Sequence, residues 1–171
     1  MKTPIKFILS FALLLLAAAD IAAQELITNV YGRDVQSLNG KWDAIVDLYD
    51  QGRKNKIYLY SFDNGLRLDV PSDWNCQMPE LKYYEGTVWY ARRFDAPEQT
   101  GRRQFLYFGA VSYRCRVYLN GEEIGAHEGG FTPFEIEVTG RLRPEGNFLA
   151  VEVNNTRTTD AIPAMAFDWW N

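Results

Sequence analysis

Val117-Tyr118-Leu119-Asn120-Gly121-Glu122-Glu123-Ile124-Gly125-Ala126-His127-Glu128-Gly129-Gly130-Phe131-Thr132-Pro133-Phe134 is the stretch whose reading decides the fold. Asn120-Gly121 lies between two alternating apolar segments, the strongest short-range signal for a tight β-hairpin. Both residues tolerate the positive φ angles that a type I′ turn demands. Gly125, Gly129 and Gly130 punctuate a second bend, and Phe134 to Thr139 resumes strict alternation. Local physics therefore calls for antiparallel β structure here.

The same pattern extends outward in both directions. Trp42 to Val46, Lys56 to Tyr60, Leu66 to Val70, Thr87 to Phe94, Arg103 to Phe108, Tyr113 to Leu119 and Asn147 to Val153 read as short strands. Turn residues such as Asp63-Asn64-Gly65 and Gly146-Asn147 separate them. Pro71 ends the third run because it has no N–H to donate to a ladder. Along Thr87–Phe94, Val88, Tyr90, Arg92 and Phe94 share one face, and Trp89, Ala91 and Arg93 share the other. No sustained helical period follows the first residues. Many short strands with turns every 8–12 residues or so indicate an all-β sandwich.

The 171 residues carry a net charge of −4, with 23% charged and 15% aromatic residues. That balance argues against a nucleic-acid or anionic-membrane binder. The aromatic content suits a β-sandwich and also suits sugar contact, since an aromatic ring offers an apolar face and a polar edge. Lys2 and Lys6, an apolar run from Phe7 to Ala19, and the small residues Ala17-Ala18-Ala19 and Ala22-Ala23 have the layout of a secretory signal peptide. Residues 1–23 are read as that leader, with cleavage after Ala19 as the alternative. Residues 24–171 are then one domain, exported to the periplasm or the extracellular space. Cys76 and Cys115 are expected as buried or half-buried free thiols, with a disulfide as the other reading. Asn154-Asn155-Thr156 matches the short glycosylation acceptor pattern.

Several segments, taken in order, resemble the N-terminal sandwich of family 2 glycoside hydrolases, the group of β-galactosidases, β-glucuronidases and β-mannosidases. Besides the hairpin these are Ser37-Leu38-Asn39-Gly40-Lys41-Trp42, Val70-Pro71-Ser72-Asp73-Trp74, Gly86-Thr87-Val88-Trp89-Tyr90-Ala91-Arg92 and Gly146-Asn147 through Asn155. The resemblance implies a jelly-roll-type antiparallel β-sandwich of the galactose-binding-domain kind. The closing Asp168-Trp169-Trp170-Asn171 is similar to β-glucuronidase-like members, in which the Asp reaches into the sugar pocket of a neighbouring barrel. Carried over, Asp168 is the candidate substrate-binding residue, suited because a carboxylate accepts hydrogen bonds from two hydroxyls at once. A loop-capping role for Asp168 is the alternative. Trp169 and Trp170 are expected to pack on a neighbour.

The chemistry implied by the resemblance is retaining hydrolysis by two glutamates about 5–5.5 Å apart. In the family both sit on a (β/α)₈ barrel, which needs roughly 250 residues of alternating strand and helix. This sequence has no such pattern. No catalytic residue is therefore assigned, and the chain reads as a fragment that stops before the second sandwich and the barrel. Glu122-Glu123 are expected to be solvated, and Glu135 and Glu137 to follow the polar-out pattern of a half-buried strand. Arg92-Arg93 and Arg102-Arg103 are each expected to split between two faces, as surface charge or interdomain contact. His127 is expected to be structural and locally hydrogen-bonded. One His and two distant Cys do not make a zinc site, and no cofactor is expected. The expected partners are a β-glycoside, through the absent barrel, and the rest of the enzyme; oligomerisation stays open. A stand-alone carbohydrate-binding module or an inactive truncated product is the alternative function.

Overall fold

The computed structural model describes residues 32–96, 101–156 and 158–159. Eight strands form in the described chain: β1 (Gly40–Asp47), β2 (Leu66–Val70), β3 (Thr87–Phe94), β4 (Phe105–Phe108), β5 (Arg114–Leu119), β6 (Glu122–Glu128), β7 (Phe134–Glu137) and β8 (Asn147–Asn154). Six of them make one antiparallel sheet in the order β2-β1-β3-β8-β5-β6, and β4 and β7 make a second. The fold is the all-β, jelly-roll-type sandwich expected from the sequence.

Alternation sets what each face buries. Val88 and Tyr90 of β3, Leu149, Val151 and Val153 of β8, and Cys115, Val117 and Leu119 of β5 turn to one side and form the main core. Leu106, Phe134 and Val138, on or beside the small sheet, close that core from the opposite layer. The outer face of the large sheet is also covered. Trp89 is fully buried there, with Ala91, Tyr118 and Ala150, beneath Phe62, Ile57 and Tyr58. The cover is the β1–β2 connection. Gly52 makes its approach: a β-carbon on it would lie 2.4 Å from the Trp89 indole nitrogen, so no larger residue fits without moving the ring.

The expected strand at Lys56–Tyr60 is a correction. Ile57–Leu59 is a single 3₁₀ turn, entered through Lys56 with φ of 52°. β-branched and aromatic residues favour a strand only where a half-buried pleated surface receives them. Here β2 already pairs with β1 at that edge. The apolar side chains instead pack down on the sheet, where Tyr58 stacks on Tyr118 at 4.3 Å between ring centroids.

The hairpin is as expected. Asn120 and Gly121 have φ of 53° and 89°, and Leu119 pairs with Glu122 across a two-residue loop. Asn120 does more than turn the chain. Its Oδ1 accepts the Phe148 N–H at 2.9 Å, and its Nδ2 donates to Asn147 Oδ1 at 3.1 Å. Asn147, fully buried, also takes the Arg143 N–H at 2.8 Å and donates to the Arg143 carbonyl at 2.6 Å. The hairpin tip, the turn before β8 and the first residues of β8 are thus one hydrogen-bonded knot. Asn147→Ala removes three of its bonds and strands buried polar groups; the expected loss is about 2–4 kcal/mol, to be read as a lower urea midpoint at unchanged slope.

Candidate functional site

Asp168, Trp169 and Trp170 lie outside the described residues. The other residues singled out in the sequence are placed. The family motifs prove to be staples of the sandwich. Trp42 Nε1 donates to the Leu38 carbonyl at 2.8 Å, and Trp74 Nε1 to the Tyr84 carbonyl at 3.2 Å. Arg92 donates to the Asn39 carbonyl at 3.1 Å, and the Asn155 carboxamide takes the Gly86 N–H at 2.9 Å. His127 is structural too: its Nε2 is 3.0 Å from Thr132 Oγ1, and its ring stacks at 4.2 Å on Phe134. The Asn154 side-chain nitrogen donates to Thr87 Oγ1 at 2.8 Å at the end of β8, a structural use of the glycosylation-pattern asparagine.

Both cysteines are free. Cys115 is buried as expected, and burial pushes its thiol up to about 11. Cys76 is exposed, a correction: the loop after Trp74 lies on the surface, and the hydrogen bond and charge of the nearby Asp73 raise the thiol pKa.

The acidic residues divide by environment. Glu122 meets Arg141 at 3.5 Å and Glu123 meets Arg116 at 2.8 Å. Glu137 takes two bonds from Arg103, at 3.0 and 2.8 Å, and these together with Thr139 hold its carboxyl down at about 2. Arg102 pairs with Asp34. Glu135 departs from the expected polar-out pattern: it is 2% exposed. It stands opposite Tyr107 in the short β4–β7 pair, where alternation alone does not reveal which face is covered.

A second buried carboxylate lies on the outer face. Glu152 is paired in register with Trp89 on one side and Arg116 on the other. Its Oε1 is 3.3 Å from Arg53 Nε. Burial raises its pKa, opposed by the charges of Arg53 and Arg116. Asp47, beside it, accepts the Gly52 N–H at 2.7 Å and the Trp89 indole N–H at 3.2 Å. These carboxylates anchor the covering loop; no group of described residues could hold a metal ion.

Further along that face a cavity of about 180 Å³ opens between the covering loop and the hairpin. Tyr58, Tyr60, Arg93, Arg143, Asn120 and Phe148 are among the residues that line it. They come from four separate segments, and nothing in the spacing of the sequence signals their convergence.

Residues 35–171 match the model of the glycosyl hydrolases family 2 sugar binding domain. The chain belongs to glycoside hydrolase family 2. It is 31% identical over 136 residues to a β-glucuronidase of Paenibacillus borealis, covering 77% of this chain and 23% of that one. It is 32% identical over 142 residues to a β-galactosidase of Thermoanaerobacter pseudethanolicus, covering 77% and 18%. Among solved structures, a β-glucuronidase from an uncultured Clostridium species superposes with a TM-score of 0.73 at 34% identity, covering 81% and 25%. A Ruminococcus gnavus β-glucuronidase in complex with D-glucuronic acid gives 0.72 at 30% identity, covering 82% and 25%. The chain thus spans about a quarter or less of the length of these relatives. Its sandwich is the family's sugar-binding domain.

The raised pKa of Glu152 has a defined consequence for stability. The folded state holds the proton more tightly than the unfolded chain does, so ionising Glu152 weakens the fold as pH rises from the ordinary carboxylate range toward neutral. Glu152→Gln is expected to raise the urea midpoint at pH 7 and leave it unchanged near pH ~3.5. A lower midpoint at pH 7 would show that the Arg53 pair outweighs desolvation.

Proposed function

We propose that this chain is the accessory sandwich of an exported family 2 glycoside hydrolase that cleaves β-glucuronides or β-galactosides. The observation that carries the reading is the coverage: the family domain spans residues 35–171, and alignments over 77% of this chain take up only 23% of a β-glucuronidase and 18% of a β-galactosidase. The sandwich is a scaffold that packs on the rest of the enzyme. Exposed apolar side chains support this role: Leu48 is 68% and Tyr49 82% exposed on the loop after β1. Asp168 then reaches into the sugar pocket of the neighbouring barrel and accepts hydrogen bonds from substrate hydroxyls. Residues 1–23 direct export and are removed.

Four of the described glutamates favour a chain that does not itself hydrolyse glycosides. Glu122, Glu123, Glu137 and Glu152 each hold an arginine. That leaves them poorly suited to serve as a proton donor and a nucleophile facing one another across a cleft.

Incubating the purified chain with aryl β-glucuronides and aryl β-galactosides is expected to give no turnover above the buffer blank; turnover that co-purifies with the chain overturns the reading. In the complete enzyme carrying this domain, Asp168→Asn is expected to lower kcat/KM about 10–100-fold, the equivalent of one charge-assisted hydrogen bond. An unchanged kcat/KM would remove Asp168 from the pocket.

A further inference from the structure

The cavity between the covering loop and the hairpin combines features that no structural role yet uses. Its walls are preformed. Tyr58 is stacked on Tyr118 at 4.3 Å. Leu59 is pressed so close to the turn that a β-carbon on Gly121 would lie 2.7 Å from Leu59 Cδ2. Asn120 and Phe148 are locked by two backbone-directed bonds of 2.8 and 2.9 Å.

Two arginines line this cavity, and like Arg33 and Arg92 they stand outside the ion pairs of the described chain. Seven arginines of the described chain each hold a carboxylate within 3.5 Å. On an acidic protein that is the expected state of a guanidinium. Arg93 and Arg143, both in the cavity wall, have no described carboxylate within the 4.0 Å of an ion pair. The nearby Asp95 directs its Oδ1 to the Gly146 N–H at 2.7 Å instead. Arg93 is nonetheless held in place, with its guanidinium carbon 5.0 Å from the centre of the Phe148 ring, a contact that restrains the side chain while leaving its N–H groups free to donate.

The remaining wall is aromatic and polar in the proportions that suit a sugar ring. Tyr60 is 62% exposed, and Tyr58 and Phe148 complete the apolar surface. Rings of this kind cover the C–H face of a pyranose, tyrosine hydroxyls meet its hydroxyls, and guanidiniums bind a planar or tetrahedral oxyanion bidentately. The volume of about 180 Å³ is of the size of a single small ring with its substituent.

We propose that this cavity is a binding site for a monosaccharide unit bearing a carboxylate or a sulfate, with Arg93 and Arg143 on the anion and Tyr58 and Tyr60 on the ring. It lies on the covered outer face of the six-stranded sheet, is built wholly from this chain, and does not depend on the chain's having or lacking hydrolytic activity.

The test is a titration of the full chain, followed by backbone amide shifts, with D-glucuronate, glucose 6-sulfate, glucose and inorganic sulfate as separate probes. Saturable shifts are expected at residues 58–60, 93, 120–121 and 143–148 with both anionic sugars. Glucose and inorganic sulfate should each bind about tenfold or more weakly, since each lacks one half of the recognition. Arg93→Gln with Arg143→Gln should abolish the preference for the anionic sugars over glucose; both side chains are solvent-exposed, so the variant should keep the wild-type amide spectrum elsewhere. Preferential binding of glucuronate alone or of glucose 6-sulfate alone identifies which anion the site takes, and supports the assignment. Equal affinity for glucose, equal affinity for inorganic sulfate, saturable binding that maps elsewhere, or no saturable binding of either anionic sugar overturns it. If the double variant does not fold, the comparison of the four probes on the unaltered chain still decides.

Discussion

Trp89 is fully buried on the outer face of a sheet that is covered on both sides, and the rest of the architecture follows from how it is buried. It lies on β3, in register with Glu152 on β8, on the face of the large sheet that points away from the second sheet. A half-buried sheet would leave that face to water. Here the indole, Tyr118 and Ala91 are apolar, so the β1–β2 connection must cross the sheet and cover them. That requirement explains Gly52, whose lack of a side chain admits the loop, and Asp47, whose carboxylate holds both the Gly52 N–H and the Trp89 indole N–H. It also accounts for Glu152, a carboxylate buried because it stands beside the covered Trp89 in register.

The same cover positions the candidate ligand site. Tyr58 and Tyr60 reach the hairpin because Ile57–Leu59 folds down as a 3₁₀ turn rather than running on as a strand. The turn that decides the fold and the loop that covers Trp89 meet at Gly121 and Leu59. Scaffold and cavity are therefore one construction, and the Asn120–Asn147 knot stiffens both.

Much of this is readable in the sequence, for definite reasons. Asn120-Gly121 announces its turn because few residue pairs accept two positive φ angles. The strands around Val88, Val117 and Val151 show themselves through period-two alternation. The all-β class, the jelly-roll sandwich and the glycoside hydrolase family 2 resemblance all rest on such local patterns in the right order. What is not local is not legible. Lys56–Tyr60 looks like a strand because Ile, Tyr and Leu favour one, and only the occupied edge of β1 prevents it. Glu135 looks solvent-facing because alternation says that neighbours differ, not which neighbour is covered. Arg93 and Arg143 stand 50 positions apart, and only the pairing of β3 with β8 brings them to one cavity. The structural role of Asn155 is equally non-local, its bond to the Gly86 N–H spanning 69 positions, whereas Trp42 reaches back only four residues and Trp74 ten forward.

The pairing of β3 with β8 also sets an order of events in time. Thr87 on one strand meets Asn154 on the other, 67 residues later, so the central pair cannot close until nearly all of the described chain has been made. At a synthesis rate of about 5–20 residues per second, that interval is roughly 3–13 s. Throughout it, Val88, Trp89 and Tyr90 have no sheet partner on that side and present an apolar strand edge to anything nearby. Folds dominated by such distant pairings form slowly even when the chain is complete, over about milliseconds to seconds. The sandwich is thus a late-closing fold. Until β8 is made, the apolar edge of β3 has only β1 to cover it, so the window for wrong pairing is set by the length of chain between the two strands.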